Sequence, residues 1–251
     1  MVALSAAGGS ARNLAAGRYD EFRRRRCGTV AELFDVGPDG TVVFQNVRRN
    51  RPCGGRVGGD VFTASLRSPR ARVALRGRSS QRGGALRDAF LGARVGGGGL
   101  LAYAPFVVRV ARSSVARSLP VPGTGTVRSA DHDGAGRAVV SRDGTGGRTS
   151  AISVFASLAG PPTATFAGAD GASEVLLCGE RVVEVAPFPD SPDVPRVVVR
   201  ALDGSGARAP ALSTGPEASP RAQACTADRL VIALTDDDGE RSTIEVVQLE
   251  P

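Results

Sequence analysis

Apolar residues along this chain come in short Val-rich bursts separated by turn formers. "GTVVFQNV" (40–47), "GDVFTASL" (59–66) and "ARVAL" (71–75) form a first group, divided by Gly, Pro and Asn. Further along come "LLAYA", "FVVRVA", "RAVVSR", "AISVFASL", "RVVEVA", "RVVVRAL", "RLVIAL" and "TIEVVQL". Each is too short for a helix and rich in β-branched residues, and several alternate apolar with polar positions, the period of a strand. With 33 Gly and 16 Pro, no helical periodicity persists for long. The pattern predicts an all-β fold.

The order of these bursts repeats: an inner strand, a turn, a Val-rich strand, a loop, a second Val-rich strand and a short alternating one. Residues 29–77 carry the order once, and further copies span 84–123, 126–168, 172–214 and 219–251. "AISVFASLAGPPTATFAG" (151–168) and "PRVVVRALDGSGARAPALSTG" (195–215) match in their second halves. A period of about 45 residues is the length of a four-stranded propeller blade. The expected architecture is a single β-propeller domain over 1–251 with five blades, or six if the N-terminal strands belong to a further incomplete blade. Two β-sandwich domains are the alternative that the strand number also permits.

The ends extend this expectation. "VALSAAGGSARNLAAG" (2–17) is similar to the second halves, whereas the last unit stops before its outermost strand. Part of 2–17 is expected to pair with 242–250, closing an edge that would otherwise invite aggregation. The alternative is that the chain is a piece of a longer ring.

"GPDGTVVF" (37–44), followed after a loop by "GDVFTASL", resembles the TolB-like and WD40-like propeller repeat. In that repeat a Pro-Asp-Gly turn joins the inner strands and an Asp introduces the next; Asp39, Gly40 and Asp60 are the matching positions. Later units keep only part of the turn, as in "HDGAGRAVV" (132–140) and "TADRLVIAL" (226–234). The resemblance implies a scaffold that binds proteins or small ligands, and it brings no catalytic residue or cofactor.

Composition refines the picture. Aromatic residues are 4% of the chain and Trp is absent, so the core has to be built from Val, Leu and Ala. The net charge of +7 would ordinarily point to an anionic partner. All 32 basic residues are Arg, however, while Ile and Asn occur three times each, a bias that GC-rich coding explains without a ligand. Charge is also uneven: residues 1–125 hold 21 Arg and 7 acids, and residues 126–251 hold 11 Arg and 18 acids. No run reaches the roughly 18 apolar residues of a membrane helix. "VGGGGLLAYAPFVV" (95–108) is glycine-rich and flanked by Arg94 and Arg109. The first residues show no basic stretch followed by an apolar core, so no signal peptide is expected here.

Few residues could carry chemistry. His132 is the only histidine, in "SADHDGAGR" between Asp131 and Asp133, so any triad would have to use it. "DHDGAG" also echoes the start of a calcium loop, but the closing twelfth ligand falls on Arg142. The run Asp236, Asp237, Asp238 fails the same test at Val247. Both read as hairpin turns. The weak ligand-binding candidates are Asp131, His132, Asp133, Glu174 and Glu180; no catalytic residue and no metal site is assigned. The cysteines form no CxxC pair, which argues against zinc. Cys178 and Cys225 each end an inner strand of neighbouring units, and Cys27 and Cys53 flank the first hairpin. All four are disulfide candidates, with free thiols as the alternative, and bridges would place the protein in an oxidising, extracytoplasmic compartment. The "RRRR" run at 23–26 has only Tyr19 and Phe22 near it, too few stacking rings to favour nucleic acid.

These observations favour a monomeric, non-catalytic propeller scaffold recognising a protein or small polar ligand at a loop face or the central channel. The alternative is a metal-dependent propeller hydrolase or lactonase using channel-facing acids such as Glu32, Asp131, Asp133, Glu174 or Glu180. Such an enzyme needs several carboxylates converging on one axis, and the supply of Asn and His beside them is small.

Overall fold

The computed structural model describes residues 2–3, 12–13, 29–37, 39–48, 60–65, 71–76, 90–96, 99–112, 115–133, 135–143, 149–170, 172, 174–186, 197–212, 219–235 and 242–249. Among them there is no helix. The chain divides into two compact units, Met1–Ser118 and Leu119–Pro251.

In the first unit, β1 (Val2–Ala3) pairs with β2 (Arg12–Asn13) as a short antiparallel ladder. A four-stranded meander follows: β3 (Thr29–Val36), β4 (Thr41–Arg48), β5 (Val61–Ser65) and β6 (Arg72–Leu75). A second is built from β7 (Gly92–Gly96), β8 (Gly99–Ala104), β9 (Val107–Arg112) and β10 (Val115–Leu119). The β3–β4 turn shows why Asp and Gly stand there. Asp39 accepts hydrogen bonds from the Thr41 amide at 2.9 Å and the Thr41 hydroxyl at 2.8 Å, and Gly40 adopts φ 78°, a left-handed conformation costly for other residues. These bonds hold the Asp39 carboxyl below its ordinary value.

The second unit holds three sheets. β11 (Val127–His132), β12 (Ala138–Asp143), β13 (Thr149–Phe155) and β14 (Ala164–Asp170) make a four-stranded meander. β15 (Glu174–Cys178), β16 (Arg181–Val185) and β17 (Val197–Ala201) make a three-stranded one. Its fourth place is taken by a single antiparallel bridge between Val199 and Arg208. The last sheet is β18 (Ser219–Cys225), β19 (Arg229–Thr235) and β20 (Ser242–Gln248), three strands among the described residues. The pairing described within 2–17 is the local one between β1 and β2, so the expected strand exchange with 242–250 stays a proposal.

Each sheet packs face to face with the next in its unit through small apolar side chains. Val43, Val61, Leu75, Phe90 and Ala102 lie between the first two sheets. Val139, Ile152, Val154, Leu177 and Val182 fill the layer between the third and fourth. Val183, Val185, Val199, Leu230, Ile232 and Val247 fill the one between the fourth and fifth. Successive residues of a strand point to opposite faces, so β16 sends Val182 to one layer and Val183 to the other. A strand buried on both sides therefore reads as an unbroken Val run.

The most deeply buried charged residue among those described lies in these layers. Glu184 of β16 is 1% exposed, accepts a hydrogen bond from the Ala169 amide of β14, and takes Arg200 Nε at 2.6 Å. A Cβ at Gly168 would fall 2.1 Å from Ser150 Oγ and 2.8 Å from Glu184 Oε2, so glycine there makes room for the carboxylate. Removing one partner of such a pair strands the other charge out of water, at a cost of about 3–5 kcal/mol. Glu184→Ala is expected to lower the unfolding free energy by about that amount in urea titrations; a loss below about 1 kcal/mol, the scale of an exposed ion pair, would contradict this role.

Candidate functional site on the first hairpins of the second unit

The sequence candidates gather where the first hairpin of one sheet meets the first strand of the next. Asp131 lies on β11, and its Oδ2 accepts a hydrogen bond from the Leu177 amide of β15 at 2.9 Å. Two residues earlier, Ser129 Oγ takes the Val175 amide at 3.2 Å. A bulge between Val127 and Ser129 on β11 precedes this pair, and bulges re-aim the side chains that follow them. His132, 7% exposed, places Nδ1 2.9 Å from the Asp133 carbonyl.

Asp133 opens the β11–β12 turn and closes it again. Its Oδ1 accepts from the amides of Ala135 and Arg137 at 3.0 and 2.8 Å, and its Oδ2 from Arg137 Nε at 2.6 Å. The Arg137 guanidinium continues into the next sheet, donating to the Gly179 carbonyl at 3.1 Å and to Glu180 in the β15–β16 turn. Burial alone would push the Asp133 carboxyl up. The Arg137 side-chain and backbone hydrogen bonds outweigh burial and hold it below its ordinary value. The same contacts raise Arg137.

Asp131, Asp133 and Glu180 are thus brought to one seam. Glu174 lies at the other end of that seam: it pairs with Val185 at the start of β15, about 13 Å along the strand from Cys178. Glu32 lies on β3, but its side chain falls outside the described residues, as do Asp236, Asp237 and Asp238. Among the described residues no group of three or more His, Cys, Asp or Glu side chains could hold a metal ion. No helix long and apolar enough to cross a membrane occurs among the described residues.

The sequence expectations missed an arginine series. Arg137, Arg181 and Arg229 each stand at the start of the second strand of a sheet, visible in the strings "GRAVV", "ERVVEV" and "DRLVIAL". Arg181 repeats the behaviour of Arg137, reaching the Ala227 and Leu249 carbonyls of the last sheet at 3.2 and 2.7 Å. Beside it Cys178 and Cys225 are joined in a disulfide, Cα–Cα 5.4 Å, across the same seam. Cys27 and Cys53 lie outside the described residues. The first unit has a comparable junction, where Asp35 of β3 accepts from the Val95 amide of β7 at 2.8 Å with Arg94 alongside at 3.8 Å.

A concave surface lies elsewhere in the second unit. A cleft of about 490 Å³ runs between the segment Arg208–Ala211 and β20, with Arg208 on one wall and Glu245 and Gln248 on the other.

Comparison with solved structures supplies the larger frame. The β-propeller domain of the Trilobed protease from Pyrococcus furiosus, described as having an open velcro topology, matches 87% of this chain and 70% of its own at 10% identity and a TM-score of 0.54. Oligogalacturonate lyase from Vibrio parahaemolyticus matches 93% of this chain and 69% of its own at 7% identity and a TM-score of 0.52. The fold is a β-propeller. Its five meanders are the blades, and the seams described above are blade-to-blade junctions. An oligogalacturonate lyase in complex with manganese is similar at the same level, with 9% identity, 93% and 72% coverage and a TM-score of 0.50. At such identities the likeness is one of fold alone. No family model matches the sequence, and no curated protein sequence matches it.

The lowered Asp133 gives the junction a pH signature. A carboxyl depressed below its ordinary value near 4 contributes stability above that pH and loses it as pH falls through the depressed value. Acidification below about pH 4 is expected to destabilise the wild-type chain more steeply than Asp133→Asn, read as denaturant midpoints across pH. Parallel curves for the two would contradict the assignment.

Proposed function

We propose that this propeller is a non-catalytic binding scaffold that recognises a protein or a small polar ligand at a loop-lined face. The observation that carries this reading is the employment of the acidic candidates. Asp131 holds an amide of the next blade, and Asp133 and Glu180 hold Arg137. Carboxylates bound to framework donors are poor ligands for a catalytic metal, because each would have to leave its partner first. A rigid frame of this kind suits the display of recognition loops.

The cleft beside β20 is the face we assign to recognition. Its walls combine a cation, a carboxylate and an amide with the apolar Ala209, Pro210, Ala211 and Val246, the mixture typical of sites that bind polar ligands with some apolar surface. The metal-dependent hydrolase alternative needs several of Glu32, Asp131, Asp133, Glu174 and Glu180 to converge on one axis, and Glu174 and Glu180 flank β15 at opposite ends. An extracytoplasmic setting is supported by the Cys178–Cys225 bridge, since structural disulfides persist in oxidising compartments.

A photo-crosslinking residue placed at Ala209 or Gln248 is expected to capture a discrete adduct from the native extract, while the same residue at exposed Ser205 captures none. Equal labelling from all three positions would remove the cleft from consideration. Turnover of a lactone or ester panel that depends on added manganese or calcium would replace the scaffold with the enzyme.

A further inference from the structure

β20 differs from other end strands of the described sheets. β6 and β10 present exposed arginines, Arg72 and Arg117, and β17 is met by the segment carrying Arg208 and Pro210. Charge, proline and cover are the usual means of keeping an edge from pairing. β20 has no proline and runs without a bulge against β19, and among the described residues no strand lies on its other side. Ile244 and Val246 stand 61% and 58% exposed on it.

The direction of its main-chain groups follows from one bond. The Leu249 amide donates to the Asp228 carbonyl at 2.7 Å, on the β19 side. Antiparallel pairing alternates this direction residue by residue, so Val247, Glu245 and Thr243 also bond towards β19. The amides and carbonyls of Ile244, Val246 and Gln248 therefore face outward. Val246 and Gln248 line the cleft of about 490 Å³, so the cleft opens onto these groups and gives a further strand room beside them.

Side chains alternate as well. Val247 and Leu249 are buried in the layer against the fourth sheet, which puts Glu245 on that face and Ile244 and Val246 on the other. A strand added at this edge would set one residue beside Glu245 and its two neighbours beside Ile244 and Val246. The surrounding charge is one-sided: residues 236–250 hold six acids and one Arg, with Arg208 on the opposite wall of the cleft. An acid in that position resists an acidic or neutral strand and favours one that brings a cation. A second copy of β20 would bring another Glu245.

We propose that the edge of β20 binds an extended basic peptide as a fourth strand, with a core of one basic residue between two apolar ones. The basic residue lies beside Glu245, and the apolar ones lie beside Ile244 and Val246. This rests on the reading of the cleft as the recognition face and names the partner it takes.

The test uses the full chain and short labelled peptides with the core Val-Arg-Val, read by fluorescence anisotropy. Saturable binding is expected, about tenfold weaker for the core Val-Glu-Val. Methylating the peptide's backbone amides is expected to abolish it, because strand addition runs through main-chain hydrogen bonds. Glu245→Arg should reverse the preference between the two cores, which a purely structural Glu245 would not do. In amide exchange, Ile244, Val246 and Gln248 are expected to exchange fast without peptide and to become protected with it. Absence of saturable Val-Arg-Val binding, or equal binding of both cores, would overturn the proposal. So would slow exchange at these three amides before peptide is added. If it persists on dilution, the chain itself covers the edge, as with residues 2–17; if it vanishes on dilution, a second copy does. Should Glu245→Arg fail to fold, the wild-type peptide comparison and the amide exchange decide. A crosslinked adduct at Ala209 without peptide binding would leave the recognition face standing and remove this partner.

Discussion

Sheets made of Val, Leu and Ala pack well face to face but register poorly, because small smooth side chains offer few shapes that fit only one way. Within the two units, three blade-to-blade seams add a directional bond at the inner strands. Asp35 takes the Val95 amide, Asp131 takes the Leu177 amide, and Cys178 is joined covalently to Cys225. A buried amide demands an acceptor, so a blade slid by one residue would lose this bond as well as its apolar contacts. The disulfide acts on the unfolded chain too. Closing a loop with a sequence separation of 47 removes conformational freedom amounting to about 4 kcal/mol in the chain-entropy account. In the second unit the arginine series stands beside the two junctions made by Asp131 and by the disulfide.

The seams also explain why residues that look like chemistry serve architecture. Asp133 is a turn former, a partner for Arg137 and, through Arg137, a tie to Glu180. Arg181 performs the same office one blade further on, gripping two carbonyls instead of a carboxylate. The acids near His132 are spent in this way, so the recognition proposed above is placed on a surface that the seams do not use, the mixed walls of the cleft beside β20.

Much of the fold was legible in the sequence, because strand runs and turns are local. "GPDGTVVF" announces its hairpin since an Asp at 39 accepts from the Thr41 amide and Gly40 takes φ 78° without strain. The spacing of Val runs announces repeated meanders for the same reason. The partners of Asp35 and Asp131 were not legible, since an aspartate that caps a strand of the next blade looks like any turn aspartate. The arginine series was present in "GRAVV", "ERVVEV" and "DRLVIAL" but acquires meaning only when consecutive hairpins stand side by side. The cleft joins Arg208 to Glu245 across distant stretches of chain and depends on the lone Val199–Arg208 bridge, which no periodicity signals.

If the inner-strand acids are framework, replacing one should cost stability, whereas ligand-site residues are commonly neutral or stabilising when replaced. Asp131→Ala measures this most directly, because it leaves the Leu177 amide without its acceptor. The account predicts that its unfolding free energy in urea falls by about 1–3 kcal/mol with an unchanged m-value. An unchanged or increased stability would contradict it and return Asp131 to the list of site residues.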